Sequence, residues 1–408
     1  MKSALFSRRA VPRNVWATIA TSFLTDISSE MVFNLLPLFL ANALGVRTAI
    51  IGLIEGLAET LASLFKIGSG WLSDRLGRRK GLAVLGYALS TVAKPFLALV
   101  NGWGGVLAVR LADRTGKGLR TAPRDALIAD SIDEEHRGWA FGLHRAGDTA
   151  GAMTGILIAA GVVWAMQAAA PTLAARTFRA VALISVIPAA IAVLVLILVA
   201  HDVPPTGVRE TPRLALSGLD GRFRRFLLVV TLFTLGNSAD AFVILRAQER
   251  GLSVVGVLLM LATFNLIYAL ASGPAGALSD RVGRRRLIVT GWAIYGLLYL
   301  GFALSRLAWQ VWALYGLYGL YYAAFEGTAK AFIADLVEPA RRGTAYGAYN
   351  AAVGLAALPA SLIAGLLWQG IGGWGGLGPS APFAFGASLA LLAALLLMAW
   401  VRPPREAG

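Results

Sequence analysis

Cysteine is absent from the 408-residue chain, and histidine occurs only three times. Without cysteine there can be no disulfide framework, thiol nucleophile or thiolate-bound metal site. The three histidines show no zinc spacing, and no nucleophile-elbow pattern is present, so the chain carries no enzyme signature. Neither a metal site nor a bound cofactor is expected. Charge is scarce as well: 14% of residues are charged and 57% are hydrophobic. A soluble domain of this length needs far more polar surface, so the expected class is an all-α polytopic membrane protein. Acids are the rarer sign, with 22 Asp and Glu against 37 Lys and Arg and a net charge of +15.

What the chain does have is long apolar runs. A bilayer core of about 30 Å needs roughly 20 apolar residues per helix. Such stretches fall at 14–41, 48–72, 82–101, 103–130, 138–165 and 177–200, and again at 226–248, 252–277, 287–305, 308–336, 344–369 and 381–401. Twelve spans put both termini on one side. The basic start, Met1 to Asn14, has no cleavable signal layout, and the apolar segment after it outruns a signal-peptide core. The first span is therefore expected to be retained.

The excess of positive charge suggests nucleic acid until its placement is considered. Connections on the side of the termini hold 22 basic residues, among them Arg75, Arg78, Arg79, Lys80, Arg281 and Arg284 to Arg286. The opposite connections hold six: Arg47, Arg176, Arg179, Arg246, Arg250 and Arg306. By the positive-inside rule the termini are cytoplasmic, and most of the charge is a topology signal. No nucleic-acid partner is expected. The expected location is a bacterial-type plasma (inner) membrane.

The longest polar stretch, 201–225, has three prolines and several arginines. It divides the chain into an N-terminal half, 1–200, and a C-terminal half, 226–408, with 201–225 as a cytoplasmic linker. The halves repeat each other. "GWLSDRLGRRK" begins at Gly70 and "GALSDRVGRRR" at Gly276; "ALIADSIDEEHRGWAFG" begins at Ala126 and "AFIADLVEPARRGTAYG" at Ala331. The offsets, 206 and 205, preserve order and spacing, so the halves are parallel six-helix repeats around a central cavity.

The pattern G-x-L-S-D-R-x-G-R-R at Gly70, Leu72, Asp74, Arg75, Gly77, Arg78 and Arg79 recurs at Gly276, Leu278, Asp280, Arg281, Gly283, Arg284 and Arg285. It resembles motif A of the major facilitator superfamily, and with twelve spans and a central linker the resemblance covers the whole chain. The resemblance implies a secondary transporter that works by alternating access and draws on an ion gradient, most simply of protons. It also implies a gating latch: Gly70, Asp74, Arg75 and Arg78 close against Asp130 in the first half, and Asp280 and Arg281 against Asp335 in the second. Chemically, glycine permits a tight turn, and an aspartate at a helix start accepts hydrogen bonds while arginines pair with acids.

The fourth span contains "RLADRTGKGLRTAPRDALIAD", residues 110–130. At about 1.5 Å per residue from Trp103, Arg110 lies about 10 Å in, Lys117 about 21 Å and Arg124 about 31 Å. At about 100° per residue, positions 110, 113, 114, 117, 120, 121 and 124 share one arc of roughly 120°. Each base facing lipid would cost roughly 2.5–3.5 kcal/mol, so the stripe must face water or acids. The "TGKG" within it is not a phosphate loop, because Leu111 stands where the first glycine belongs and Gly118 follows the lysine. Arg110 with Gly116 and Gly118 faintly resembles the fourth-helix pattern of proton-coupled antiporters. Asp113 and Arg114 depart from that pattern, so its function is not carried over.

Two readings of the stripe stand side by side. In one, the bases pair internally: Asp26, Glu30, Glu55, Glu59, Asp113, Asp125 and Asp148 nearly balance Lys66, Lys94, Arg110, Arg114, Lys117, Arg120, Arg124 and Arg145. In the other, they bind substrate. At the repeat offset Arg110, Asp113 and Lys117 correspond to Tyr315, Tyr318 and Tyr322, so a cationic wall would face an aromatic one. The expected substrate is then a small organic anion or anionic metal chelate. It would be held by Arg110, Arg114, Lys117, Arg120 and Arg145, with Tyr315, Tyr318, Tyr322 and Glu326 opposite. Asp26, Glu30, Glu55, Glu59 and Asp148 are the candidate proton carriers, since buried carboxylates can take up protons. Alternatives are a proton-coupled exporter of lipophilic cations and a non-transporting membrane receptor or assembly factor. The chain is expected to act as a monomer in the bilayer. Asp240, opposite Asn34 in the repeat, receives no role.

The latch yields a first test. Asp74→Asn should loosen closure on the side of the termini, read as increased cysteine accessibility there. Unchanged accessibility with full flux would leave the motif only its topological role.

Overall fold

A segment buried in lipid must satisfy its own backbone hydrogen bonds, so long apolar runs become helices. The computed structural model of the chain describes residues 11–203, 220–338 and 341–401. Among these the regular structure is helical, with one isolated bridge, Ile371 to Trp374, and short loops between the helices. Twelve long helices correspond to the twelve expected spans. The first half contains α1 (Arg13–Ala43), α2 (Thr48–Leu76), α3 (Arg79–Ala98), α4 (Trp103–Asp130), α5 (Arg137–Gln167) and α6 (Ala175–Val199). The second contains α7 (Gly221–Glu249), α8 (Val254–Val282), α9 (Arg284–Leu304), α10 (Ala308–Leu336), α11 (Arg342–Gln369) and α12 (Ala381–Trp400). Ten are apolar enough over their described residues to cross a membrane; the others are α4, diluted by its charges, and α10. Large apolar side chains such as Leu198, Leu270 and Leu304 point outward, as lipid-facing surfaces require.

Most of the expected linker, 204–219, lies outside the described residues. Its last part, 221–225, is already helical. Asp220 accepts a hydrogen bond from the Arg222 N–H at 2.8 Å, and α7 starts there. The paired motif glycines behave as their chemistry demands. Gly77 ends α2 at φ +63°, and Gly283 joins α8 to α9 at φ +90°, both in backbone regions that side chains avoid.

α1 and α7 are interrupted at corresponding places. α1 is regular to Phe33, breaks at Asn34, and resumes through Leu36–Leu38 and a π-helical turn, Phe39–Ala43. Pro37 lacks an N–H and cannot continue the ladder. α7 is regular to Gly236 and resumes at Ala241. Both breaks expose backbone and polar side chains, which a membrane tolerates only beside a cavity.

The halves meet on the side opposite the termini. Asn42 Nδ2 donates to Gln248 Oε1 at 3.0 Å, and Gln248 Nε2 donates back to Asn42 Oδ1 at 2.8 Å. These two amides are 206 residues apart, the repeat offset, so a reciprocal pair closes on the pseudo-symmetry axis. Gln248 also donates to the Pro171 carbonyl at 2.7 Å, and Thr48 Oγ1 donates to the Gly365 carbonyl at 3.0 Å. Deeper in, Thr60 Oγ1 donates to the Gly354 carbonyl at 2.7 Å.

The amide pair should therefore hold this side shut. Asn42→Ala and Gln248→Ala should each raise labelling of an Ile244→Cys reporter by an impermeant maleimide from that side, and the double variant should add little. The chain has no native cysteine to confuse the reading. Equal labelling in all variants would remove the amides from the gate.

A charged cavity between the halves

α4 carries bases at mid-depth and must be surrounded accordingly. It packs between α2 and α3, and two glycines allow both contacts. A Cβ on Gly116 would fall 2.5 Å from the Gly86 carbonyl oxygen of α3; one on Gly118 would fall 2.5 Å from Phe65 Cβ of α2. Lys117 stands between them and lines the cavity. The "TGKG" sequence is thus a double helix-crossing that presents one lysine.

α2 and α4 both start on the side opposite the termini, so equal spacings stay in register along them. Arg110 Nη2 meets Glu55 Oε2 at 2.7 Å, and one turn further Arg114 Nη1 meets Glu59 Oε1 at 3.1 Å. The Phe33 ring of α1 lies under both guanidinium groups, at 4.2 Å from Arg110 and 5.8 Å from Arg114. Arg120 finds no carboxylate; it donates to Ser90 Oγ at 2.7 Å and sits 4.6 Å over Tyr87. Arg124 turns to Asp125 at 2.8 Å and Ser22 at 3.2 Å. Lys94, fully buried on α3, donates to Ser28 at 2.5 Å and Ser29 at 3.1 Å.

These side chains border a cavity of about 460 Å³ between the halves. α1, α2 and α4 supply one wall; the α7 break, α11 and Tyr322 of α10 supply the other. Among the described residues six carboxylates line it (Asp26, Glu30, Glu55, Glu59, Asp113, Asp240) against four cations (Arg110, Arg114, Lys117, Arg120), all four from α4. Glu30 accepts a hydrogen bond from Asn34 at 2.8 Å. Lys117 and Asp240 are exposed to the cavity and, among the described residues, make no hydrogen bond or ion pair. Asp26 has none either and is half-buried.

The expected site residues separate into groups. Arg110, Arg114, Lys117, Arg120, Tyr322, Asp26, Glu30, Glu55 and Glu59 come together at the cavity. Arg145 does not line it; its Nη2 donates to the Tyr268 hydroxyl of α8 at 2.6 Å, bridging the halves. Asp148 lies behind α1, 3.4 Å from His144 Nδ1, whose Nε2 meets Ser22 Oγ at 2.9 Å. The aromatic wall is corrected. Tyr315 and Tyr318 are buried in the core of the second half, stacked with Phe264 at 4.8 Å and against Tyr321 at 5.7 Å. Rings bury more area against α8 and α9 than water would leave them, so only Tyr322 reaches the cavity. The side chain of Glu326 lies outside the described residues, as do those of Asp74, Asp280 and Arg281.

Each latch acid meets an arginine of the repeated motif. Asp130 Oδ2 lies 3.4 Å from Arg79 Nε, with Ser73 Oγ on the same guanidinium at 2.8 Å. Asp335 pairs with Arg284. Arg79 and Arg284 are each the first residue of their helix, so the turn at the motif glycine aims them back at the end of α4 or α10. Arg75 instead lies 5.4 Å over Trp71, and Arg78 is exposed. Gly70 lets α2 approach α4, since its Cβ would touch Ala122 Cβ at 3.4 Å. Sequence reasoning also passed over the α7 break. The polar run Asn237, Ser238, Asp240 inside an apolar span was its signal, and all three residues line the cavity.

The two ion pairs generate a stability test. Glu55→Gln leaves buried Arg110 with only the longer contact to Asp113 at 4.0 Å. This should lower unfolding stability by at most about 3–5 kcal/mol, the cost of an orphaned buried charge. Adding Arg110→Gln should recover part of that loss. Additive losses in denaturant unfolding would mean that the pair is not a coupled unit.

A sequence profile of the Major Facilitator Superfamily matches residues 18–245 and 226–408. An uncharacterised transporter of that superfamily's type from Methanocaldococcus jannaschii is 35% identical over 396 residues, covering 96% of this chain and 95% of the relative. A probable 4-methylmuconolactone transporter of Cupriavidus pinatubonensis is 26% identical over 321 residues, covering 72% and 71%. The multi-drug resistance efflux pump PmrA of Streptococcus pneumoniae is 25% identical over 291 residues, covering 68% and 70%. In fold, the chain is similar to the crystal structure of the nucleoside transporter NupG, with TM-score 0.79 and 15% identity over 95% of this chain and all of that one. The profile in both halves, together with the full-length relative, shows that the chain belongs to the major facilitator superfamily and is a multi-pass membrane transporter, not an enzyme.

Proposed function

We propose that the protein moves a small organic anion, or an anionic metal chelate, by alternating access through this cavity, with proton coupling. The observation that carries the reading is Lys117. It is the cavity cation that is exposed and, among the described residues, makes no hydrogen bond or ion pair. Arg110 and Arg114, by contrast, are engaged by Glu55 and Glu59 and position the wall. The relative described as a probable 4-methylmuconolactone transporter fits a small organic substrate.

The excess of carboxylates gives the coupling its logic. An anion entering a cavity with six acids and four bases meets net repulsion. A proton on Asp26, which among the described residues has no hydrogen-bond or ion-pair partner and borders the cavity beside α4, lowers that repulsion, so anion and proton travel together. The two halves, 1–200 and 226–408, rock about the site while 201–225 tethers them. With the termini cytoplasmic in a bacterial-type inner membrane, the side sealed by Asn42 and Gln248 is the outer one, and this arrangement is inward-facing. The protein works as a monomer.

The same acid excess favours a second reading, proton-coupled export of lipophilic cations, and the multi-drug efflux relative supports it. One panel separates the two. Purified protein is titrated with carboxylates, phosphorylated metabolites, chelates and lipophilic cations while its melting temperature is followed. Lys117→Met should keep its melting temperature and weaken anion binding by about ten- to a hundredfold, the worth of a charge-assisted hydrogen bond. Arg114→Gln should lose stability instead. Wild-type anion affinity in Lys117→Met would end the anion reading, and stabilisation by lipophilic cations alone would select the second.

A further inference from the structure

Asp240 has no structural employment. It stands at the start of the second segment of α7, where an aspartate ordinarily caps the helix, yet its side chain accepts no hydrogen bond from the first turn. Among the described residues no cation lies within ion-pairing distance, and it is exposed to the cavity. Among the described lining residues of the second half it is the one charged group. Its neighbours Thr234, Asn237, Ser238 and Tyr322 are neutral and polar, and all four cavity cations belong to α4 on the facing half.

A purely anionic substrate satisfies Lys117 and leaves this carboxylate opposite it. When the halves close, the cavity loses water, and an unpaired carboxylate there is strongly disfavoured. A substrate bearing a cation at its far end removes the problem and is held from both halves at once. Contact with both halves is also what lets a ligand bias their relative position, since only differential binding shifts a conformational equilibrium.

We propose that Asp240 is the cation-binding half of the substrate site, so that the substrate is amphoteric: a small organic acid that also carries a protonated amine. The inference rests on the reading of Lys117 as the anion anchor. The Asn237–Asp240 break contributes by placing the carboxylate at the cavity edge, free of the helix ladder. Asn34, its counterpart in the first half, is an uncharged amide turned onto Glu30, so the charge at this position belongs to one half only.

The test uses full-length protein and three matched ligand series: ω-amino acids of four to eight carbons, the corresponding monocarboxylates, and the corresponding alkylamines. Apparent affinities are read from ligand-induced rises in melting temperature at pH 7. At least one ω-amino acid should bind about tenfold or more tightly than its matched acid and amine. Asp240→Asn should reduce that ligand to the affinity of the acid, and Lys117→Met to that of the amine. Asp240→Glu keeps the charge on a longer arm and should retain the preference with its optimum at a shorter chain. If no ω-amino acid binds more tightly than its matched acid, or if Asp240→Asn keeps the preference, the assignment is overturned while the Lys117 reading stands. If amines match amino acids and Lys117→Met changes nothing, the Lys117 reading fails instead.

Discussion

A guanidinium at mid-depth in a bilayer must meet a carboxylate or water, and that constraint organises the first half of this protein. The rungs Glu55–Arg110 and Glu59–Arg114 join α2 to α4 at 2.7 and 3.1 Å. They fix the register of two helices that run in the same direction, because only equal spacings keep both rungs closed. Replacing such pairs with apolar residues is often neutral or stabilising. Their presence here is better explained by the cavity they border than by stability. Phe33 beneath the guanidinium groups adds attraction without adding charge.

The scaffold is symmetric and its chemistry is not. Repeat-related features recur at the turns, where Gly77 and Gly283 take positive φ, and at the far-side closure, where Asn42 meets Gln248. They recur again in the interruptions of α1 and α7. Between these shared landmarks the halves diverge: α4 presents cations to the cavity, while α10 folds most of its tyrosines into an aromatic core with Phe264, Tyr295 and Tyr299. Symmetry supplies two matched bodies that can exchange orientations. Asymmetry gives the space between them a direction: among the described residues, four bases and five acids line one wall and a lone carboxylate the other.

Movement between those bodies depends on contacts that can be broken. The polar part of the far-side seal is mainly neutral amide, hydroxyl and carbonyl hydrogen bonds, each worth about 0.5–1.5 kcal/mol net, with one long guanidinium contact from Arg47 to the Gly372 carbonyl at 3.5 Å. No ion pair joins the halves there among the described residues. The strong pairs lie inside each half: Glu55–Arg110 and Arg79–Asp130 in the first, Arg284–Asp335 in the second. α2 and α11 also approach closely across the seam, where a Cβ on Gly52 would fall 2.1 Å from the Ser361 carbonyl oxygen, so the alternating access proposed above has to part packed backbone as well as these hydrogen bonds.

Much of this was legible in the chain itself. Apolar length set the number of helices, because a bilayer of constant thickness admits few other solutions. The repeat offset set the two halves, and basic residues in alternate connections carried the expected orientation. The charges of α4 announced a polar cavity, since lipid cannot accept them. Tertiary structure decided which of those charges are occupied. Spacing placed Arg114 and Lys117 on one face, yet only packing against α2 engages the first, while the second stays exposed to the cavity. It also decided that Tyr315 and Tyr318 face a core while Tyr322 faces the cavity, and that Asp240 ends a helix break instead of capping it. Periodicity along one helix is a local property. Pairing depends on the distance between helices, which arises when the bundle assembles.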